Sequence, residues 1–258
     1  MTRGAEPRVI IDPDADAVVR RVSARLLRRV AARAARHATT HLSLTGGTMG
    51  ARVLAALADD PRTDRIDWSA THFWWSDERF VPAADPQRND AAAALLLERI
   101  HAAPERIHRA AASDEGVGLD EGARRYGAEL ARHTAADDAP WPSFDVCLLG
   151  VGPDGHVASL FPDRGEVRVL DRAVVPVRDS PKPPPERISM TLPVIRSSRR
   201  VWLIVSGADK ASAVGLAVAG ASETSVPAAG ARGRSRTVFF VDALAASQLP
   251  DGAGARIS

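Results

Sequence analysis

Residues 144–162 read FDVCLLGVGPDGHVASLFP, and the order of residue types in this stretch decides the fold. Val146-Cys147-Leu148-Leu149 is a run of four apolar residues, the pattern of a strand covered on both faces of a sheet. Gly150, Gly152 and Gly155 then allow a sharp turn and close approach of the backbone to a ligand. Asp154 and His156 fall at the carboxyl end of that strand, where open α/β sheets place their ligands.

The same glycines satisfy the spacing G-x-G-x-x-G, but the context is not that of a dinucleotide site. That fingerprint needs a helix opening at the third glycine and an acidic residue about 20 positions on. Pro153 lies inside the turn, Phe161-Pro162-Asp163-Arg164-Gly165 breaks the chain again, and Asp171 comes too soon. No nucleotide cofactor is therefore expected.

Working outward, runs with strand character alternate with helical patterns. Strands are expected at Val9-Ile10-Ile11, His41 to Leu44, Thr71 to Trp75, 146–149, 173–178, 187–192, 200–205 and Thr237 to Val241. Helices are expected near 14–37, with Asp12 and Asp14 at its start, and near 49–58, 89–100, 119–133 and 208–219. This alternation predicts an α/β fold: a doubly wound, mostly parallel Rossmann-like sheet with helices on both faces. Gly/Ala-rich stretches near 220–235 and 251–255 read as loops or frayed ends. No repeat or linker divides the chain, and 258 residues suit one large domain over 1–258.

Composition narrows the function classes. No apolar run approaches the ~20 residues that span a bilayer, and the first residues lack a signal-peptide core. The lone Cys147 permits no internal disulfide and suits a reducing compartment. A cytoplasmic protein is the expectation. A net charge of +2 does not argue for nucleic acid. In RRVSARLLRRVAARAARH, Val18, Val22, Leu26, Val30 and Ala34 recur at helical spacing, so they face a core and leave the arginines in solvent. Neither nucleic acid nor a membrane is an expected partner, and no obligate protein partner is evident. The chain has only two lysines, Lys182 and Lys210. A compact point charge retained amid arginines is suited to a phosphate.

Four further segments follow strands or open helices and so can meet the central turn on one sheet edge. Thr45-Gly46-Gly47-Thr48 is either a plain tight turn or a phosphate seat at a helix N-terminus; it is not a P-loop. In WWSDERFVP, residues 74–82, Asp77 and Arg79 stand just past an aromatic strand, and the later Asn89 reads as a helix cap. PKPPPERIS, residues 181–189, reads as a stiff loop holding Lys182 and Arg187. SGADKA, residues 206–211, puts Lys210 in a first helical turn, where it opposes the helix dipole unless an anion binds. His156 is the candidate base, since histidine titrates near neutrality. His37, His41, His72, His101, His108 and His133 show no metal-ligand spacing, and no catalytic metal is expected.

Taken in order, the glycine pair, DERFVP, LLGVGPDGHVASLFP, PKPPPERIS and the late G-x-D-K-A resemble the 6-phosphogluconolactonase members of the glucosamine-6-phosphate isomerase family. The resemblance spans roughly residues 42–211. It implies a fold shared with glucosamine-6-phosphate deaminase and ribose-5-phosphate isomerase, and metal-free, cofactor-free hydrolysis of a sugar phosphate lactone. His156 would activate the attacking water, with Asp154 and Asp77 orienting imidazole, water or hydroxyls. Arg79 would meet substrate or developing negative charge. Arg187, Lys210 and the 45–48 loop would take the 6-phosphate. Met49 and Gly50 stand where the family pattern has threonine and proline. The related deaminases carry a glutamate in A-F-N-E-P; here Ala158-Ser159-Leu160-Phe161-Pro162 has no acid. A deaminase/isomerase and a non-catalytic sugar-phosphate-binding regulator are the alternatives.

Overall fold

The computed structural model describes residues 6–134 and 140–250, and the backbone of 255–257. Strands β1 (Arg8–Asp12), β2 (Thr40–Leu44), β3 (Thr71–Trp75), β5 (Val146–Gly150), β8 (Arg200–Val205), β9 (Arg236–Asp242) and β10 (Ala255–Ile257) form one sheet; β4 (Asp77–Arg79), β6 (Val174–Val177) and β7 (Arg187–Met190) form another. The larger sheet has the order β10-β1-β9-β8-β5-β2-β3, and every pairing in it is parallel. The smaller sheet is antiparallel, in the order β4-β7-β6.

Alternate residues of each strand enter different cores, as the pleat requires. Phe73, Trp75, Val146, Leu148, Trp202 and Phe240 pack on one face. They meet helices α1 (Ala15–Ala34), α2 (Gly47–Asp59) and α3 (Ala94–Arg99). Trp74, Cys147, Leu149, Leu203 and Phe239 pack on the other. Helices α4 (Leu119–Ala131), α5 (Leu192–Ser197), α6 (Ala211–Val218) and α7 (Pro227–Gly230) cover that side. Trp74, Trp75 and Phe239 are fully buried, and burial of such side chains stabilises the fold by roughly 1.5–3 kcal/mol each.

The doubly wound reading holds. Asp14 caps α1 by accepting the Ala17 N–H at 2.8 Å, whereas Asp12 instead binds Arg21 at the side chain. Val18, Val22, Leu26 and Val30 are buried and Ala34 is half-buried, so α1 is a surface helix with an apolar seam. Four expectations need correction. The stretch near 220–235 is not all loop, since Pro227–Gly230 form α7. The strands near 173–178 and 187–192 lie outside the parallel sheet, because β7 pairs backwards with β4 and β6. The helices near 89–100 and 208–219 each begin with a 3-10 turn, at Asp90–Ala93 and Ala208–Lys210. Within the stretch near 251–255, residues 251–254 lie outside the described residues, while 255–257 extend the sheet beside β1. No helix among the described residues is long and apolar enough to cross a membrane.

Candidate active site

Parallel strands put their following loops on one edge. The segments after β2, β3, β5 and β8 carry Thr45, Asp77, His156 and Lys210, and short contacts join the first three. The Gly150 N–H lies 3.4 Å from the Thr45 hydroxyl. Ser159 donates to Asp77 Oδ2 at 2.8 Å. A Cβ on Gly46 would stand 1.7 Å from Asn89 Oδ1, so the loop after β2 touches the loop after β4 with no room for a side chain.

His156 and Asp154 form the centre. His156 Nδ1 lies 2.5 Å from Asp154 Oδ1, with 15% of the imidazole side chain exposed against 35% of the carboxylate. Burial pulls the Asp154 carboxyl upward, but the hydrogen bond and charge of His156, together with Lys182, hold it down at about 2. An ionised Asp154 accepts the Nδ1 proton and leaves Nε2 as the basic nitrogen. Phe161 packs against the imidazole with ring centroids 4.6 Å apart. Gly155 sits at φ +85°, a conformation that side chains rarely adopt, and lets the turn close.

The small sheet supplies the cations. Arg79 and Arg187 are direct cross-strand partners on β4 and β7. Like charges facing each other in this way destabilise a sheet. Burial and then the Arg79 charge lower the pKa of Arg187, while Asp77 opposes them. Arg79 Nη1 donates at 2.7 Å to both Gln87 O and Asn89 Oδ1. Arg187 donates through Nε and Nη2 to the carbonyls of Pro184, Lys182 and Pro183. Its Nη1 has no hydrogen-bond acceptor among the described residues. Loop 181–186 is thus wrapped around the guanidinium, and Lys182 is placed where its charge bears on both Asp154 and Asp209. Lys210 Nζ lies 2.5 Å from Asp209 Oδ2 with 23% of its side chain exposed.

The loop after β2 fits an anion by its backbone. Gly46 is the N-cap of α2 and provides no side-chain cap, and the first turn holds no acid. Its leading N–H groups therefore lack intrahelical acceptors. Thr45 is buried and Thr48 exposed. A Cβ on Gly50 would stand 2.4 Å from the Thr45 carbonyl oxygen, so the turn leaves no room for a side chain at this position.

Residues 45–48, 77, 154, 156 and 210 follow strands of the larger sheet, whereas Arg79 and Arg187 lie on β4 and β7 of the smaller one. Asn89 does not act as expected: its side chain makes no cap bond but donates to Asp77 O at 2.8 Å and accepts from Arg79. Two supporting residues were not given a role from the sequence, although Glu78 belongs to the run of three charges that follows β3. Glu78 is buried and accepts the N–H groups of Arg79, Asn89 and Asp90 at 2.8, 2.6 and 2.9 Å. Asp242, at the end of β9, accepts from the Ser206 hydroxyl at 2.6 Å and from the Gly207 N–H at 3.2 Å, fixing the turn that carries Lys210. An acid ending a buried strand was the only signal for Asp242.

Comparison with known proteins places the chain in a family. The family model for glucosamine-6-phosphate isomerases/6-phosphogluconolactonase matches residues 13–240. A 6-phosphogluconolactonase of Streptomyces coelicolor is 48% identical over 248 residues, covering 95% of each chain. One of Mycobacterium tuberculosis is 45% identical over 243 residues, covering 93% of this chain and 97% of its own. Among solved structures, a devB protein superposes with TM-score 0.82 at 32% identity, over 94% of this chain and 99% of its own. The chain belongs to the glucosamine-6-phosphate isomerase/6-phosphogluconolactonase family.

Proposed function

We propose that this chain hydrolyses 6-phospho-D-glucono-1,5-lactone to 6-phospho-D-gluconate, with His156 as general base. The observation that carries the proposal is the Asp154–His156 pair at 2.5 Å beside a cluster of cations. Full-length similarity to 6-phosphogluconolactonases supports the choice of substrate. His156 Nε2 takes a proton from water as the water oxygen attacks C1 of the lactone. The carbonyl oxygen gains negative charge near Arg79. The C1–O5 bond then breaks, the ring oxygen receives the proton from His156, and the new carboxylic acid ionises. Asp154 holds the imidazole in the Nδ1–H tautomer throughout. Asp77, which accepts from the hydroxyls of Ser159 and Ser76, positions the loop after β5 against β4.

The 6-phosphate is held by the N-terminus of α2, by Arg187 and by Lys210, with Lys182 adding charge from its loop. A bound dianion also offsets the facing Arg79 and Arg187. Each charge-assisted contact is worth roughly 1.5–3 kcal/mol. The deaminase reading is disfavoured because Ala158 to Pro162 supplies no carboxylate for ring opening and amine chemistry. Steady-state kinetics test the division of labour. Arg187→Ala and Lys210→Ala should raise KM for the phosphorylated lactone more than they lower kcat. Against unphosphorylated gluconolactone they should change little. Equal losses on both lactones would contradict the phosphate assignment.

A further inference from the structure

Four histidines gather at the sheet edge opposite the catalytic loops. His41 and His72 lie at the second positions of β2 and β3, near the amino ends of those strands. His108 follows the 3-10 turn Pro104–Arg106, and His133 lies just past α4. One ring nitrogen from each of His72, His108 and His133 falls within 4.8 Å of the other two. His72 and His108 are buried, whereas His133 keeps 25% of its side chain exposed.

Hydrogen bonds set the tautomers. His108 Nδ1 donates to Glu129 Oε1 at 2.9 Å, which leaves its Nε2 with a lone pair. A carboxylate behind an imidazole in this way is the usual support of a metal-binding histidine. His108 Nε2 lies 2.8 Å from His72 Nδ1, and Trp74 stacks on the His108 ring at 3.8 Å. On the far side Arg106 Nη1 faces His72 Nε2. Without a metal, protons run in one direction from Arg106 through His72 and His108 to Glu129. His133 stands beside this chain, edge-on to His108 at 4.5 Å and to His72 at 4.9 Å, with Nε2 3.3 Å from the same Glu129 oxygen.

We propose that His72, His108 and His133 bind one divalent transition-metal ion of the Zn²⁺ class, with Glu129 behind His108 and a fourth position left for water. Imidazole ligands suit Zn²⁺, Co²⁺ and Ni²⁺. A tetrahedral ion with bonds of about 2.0–2.1 Å holds its ligand nitrogens about 3.3 Å apart, so His72 and His108 open by roughly half an ångström. The ion takes the place of the proton between His72 Nδ1 and His108 Nε2. That proton moves to His72 Nε2, and Arg106 turns away from it. A cavity of about 530 Å³ lined by His108, Tyr126, Glu129 and Arg132 adjoins the cluster and offers an entry route.

The test is titration of the full chain, freed of metal by a chelator, with Zn²⁺ by calorimetry and with Co²⁺ by visible absorbance. One ion per chain and the intense visible bands of tetrahedral Co²⁺ are expected. His133→Gln, at a partly exposed position, should weaken Zn²⁺ binding at least tenfold while lactone hydrolysis is unchanged. Arg106→Gln should tighten binding severalfold, because its amide oxygen can accept the proton on His72 Nε2. Absence of saturable binding by the folded chain would overturn the proposal, leaving a purely hydrogen-bonded chain of imidazoles. Zn²⁺ binding indifferent to both substitutions would also overturn it.

Discussion

Gly152 shows at the scale of one residue how narrowly the catalytic turn is built. A Cβ there would stand 2.1 Å from both Nδ1 and Cε1 of His156 and 2.4 Å from Asp154 Oδ1. Gly152→Ala must push the imidazole off its carboxylate. Displacing a catalytic group by about 1 Å costs on the order of 10²-fold in rate, so kcat should fall by about that factor. The test is kcat beside the urea unfolding midpoint. Loss of stability with unchanged kcat would contradict the close packing of this turn. Asp154→Asn leaves the Nδ1 proton without a carboxylate, and should lower kcat without raising KM. The importance of the motif was legible in the sequence, since glycines, Asp154 and His156 follow a buried strand. The reason for each glycine was not: Gly152 answers to His156, Gly155 to its positive φ, and Gly46 to Asn89, a partner distant in sequence.

At the scale of elements, the three-residue strand β4 does most to shape the site. Its first residue packs on the loop after β5, its last faces Arg187, and Glu78 between them turns inward. Both Glu78 and Arg88 keep only 2% side-chain exposure, at 3.7 Å. Burial pushes the Glu78 carboxyl up to about 7, although Arg88 and the backbone N–H donors favour the charged form. Removing one member of a buried ion pair costs about 3–5 kcal/mol, so Glu78→Ala should destabilise the fold by about that amount. It should also raise KM, because Arg79 and Asn89 lose their anchor. Urea unfolding checks the first effect; a loss below about 1 kcal/mol would mean the pair is not structural. The long buried strands were legible from apolar runs. Strand β4 was not, because three polar residues after Ser76 carry no periodicity, and its partner β7 lies over a hundred residues further along the chain.

Over the whole molecule, chemistry separates onto opposite sheet edges, catalytic loops at one and imidazoles at the other. The histidine cluster makes the fold sensitive to acid. Burial first, then neighbouring imidazoles and Arg106, depress His41 to about 3 and His72 to about 4; His108 is lowered too, while Glu129 opposes the shift at His72 and His108. These groups are neutral in the fold, whereas unfolded histidine titrates near ~6.5. Their contribution is fully present above that pH and is lost as pH falls toward the folded values. Glu78 has the opposite sign: its contribution is present below its unfolded value and is lost as pH rises through about 7. With three imidazoles against one carboxyl, the urea midpoint in chelator should fall between about pH 6.5 and pH 4. A flat or rising midpoint across that range would contradict neutral burial of the cluster. Sequence spacing gave no sign of this gathering, since His72, His108 and His133 come from a strand, a loop and a helix end.

The most direct test of the central claim is the rate of 6-phosphogluconolactone disappearance, corrected for spontaneous hydrolysis and read through coupling to 6-phosphogluconate dehydrogenase. The wild-type chain should accelerate hydrolysis strongly, and His156→Ala should lose about 10²–10⁴-fold of kcat, the usual contribution of a general base. A folded wild-type chain that leaves the spontaneous rate unchanged, or a His156→Ala variant as fast as wild type, would contradict the account.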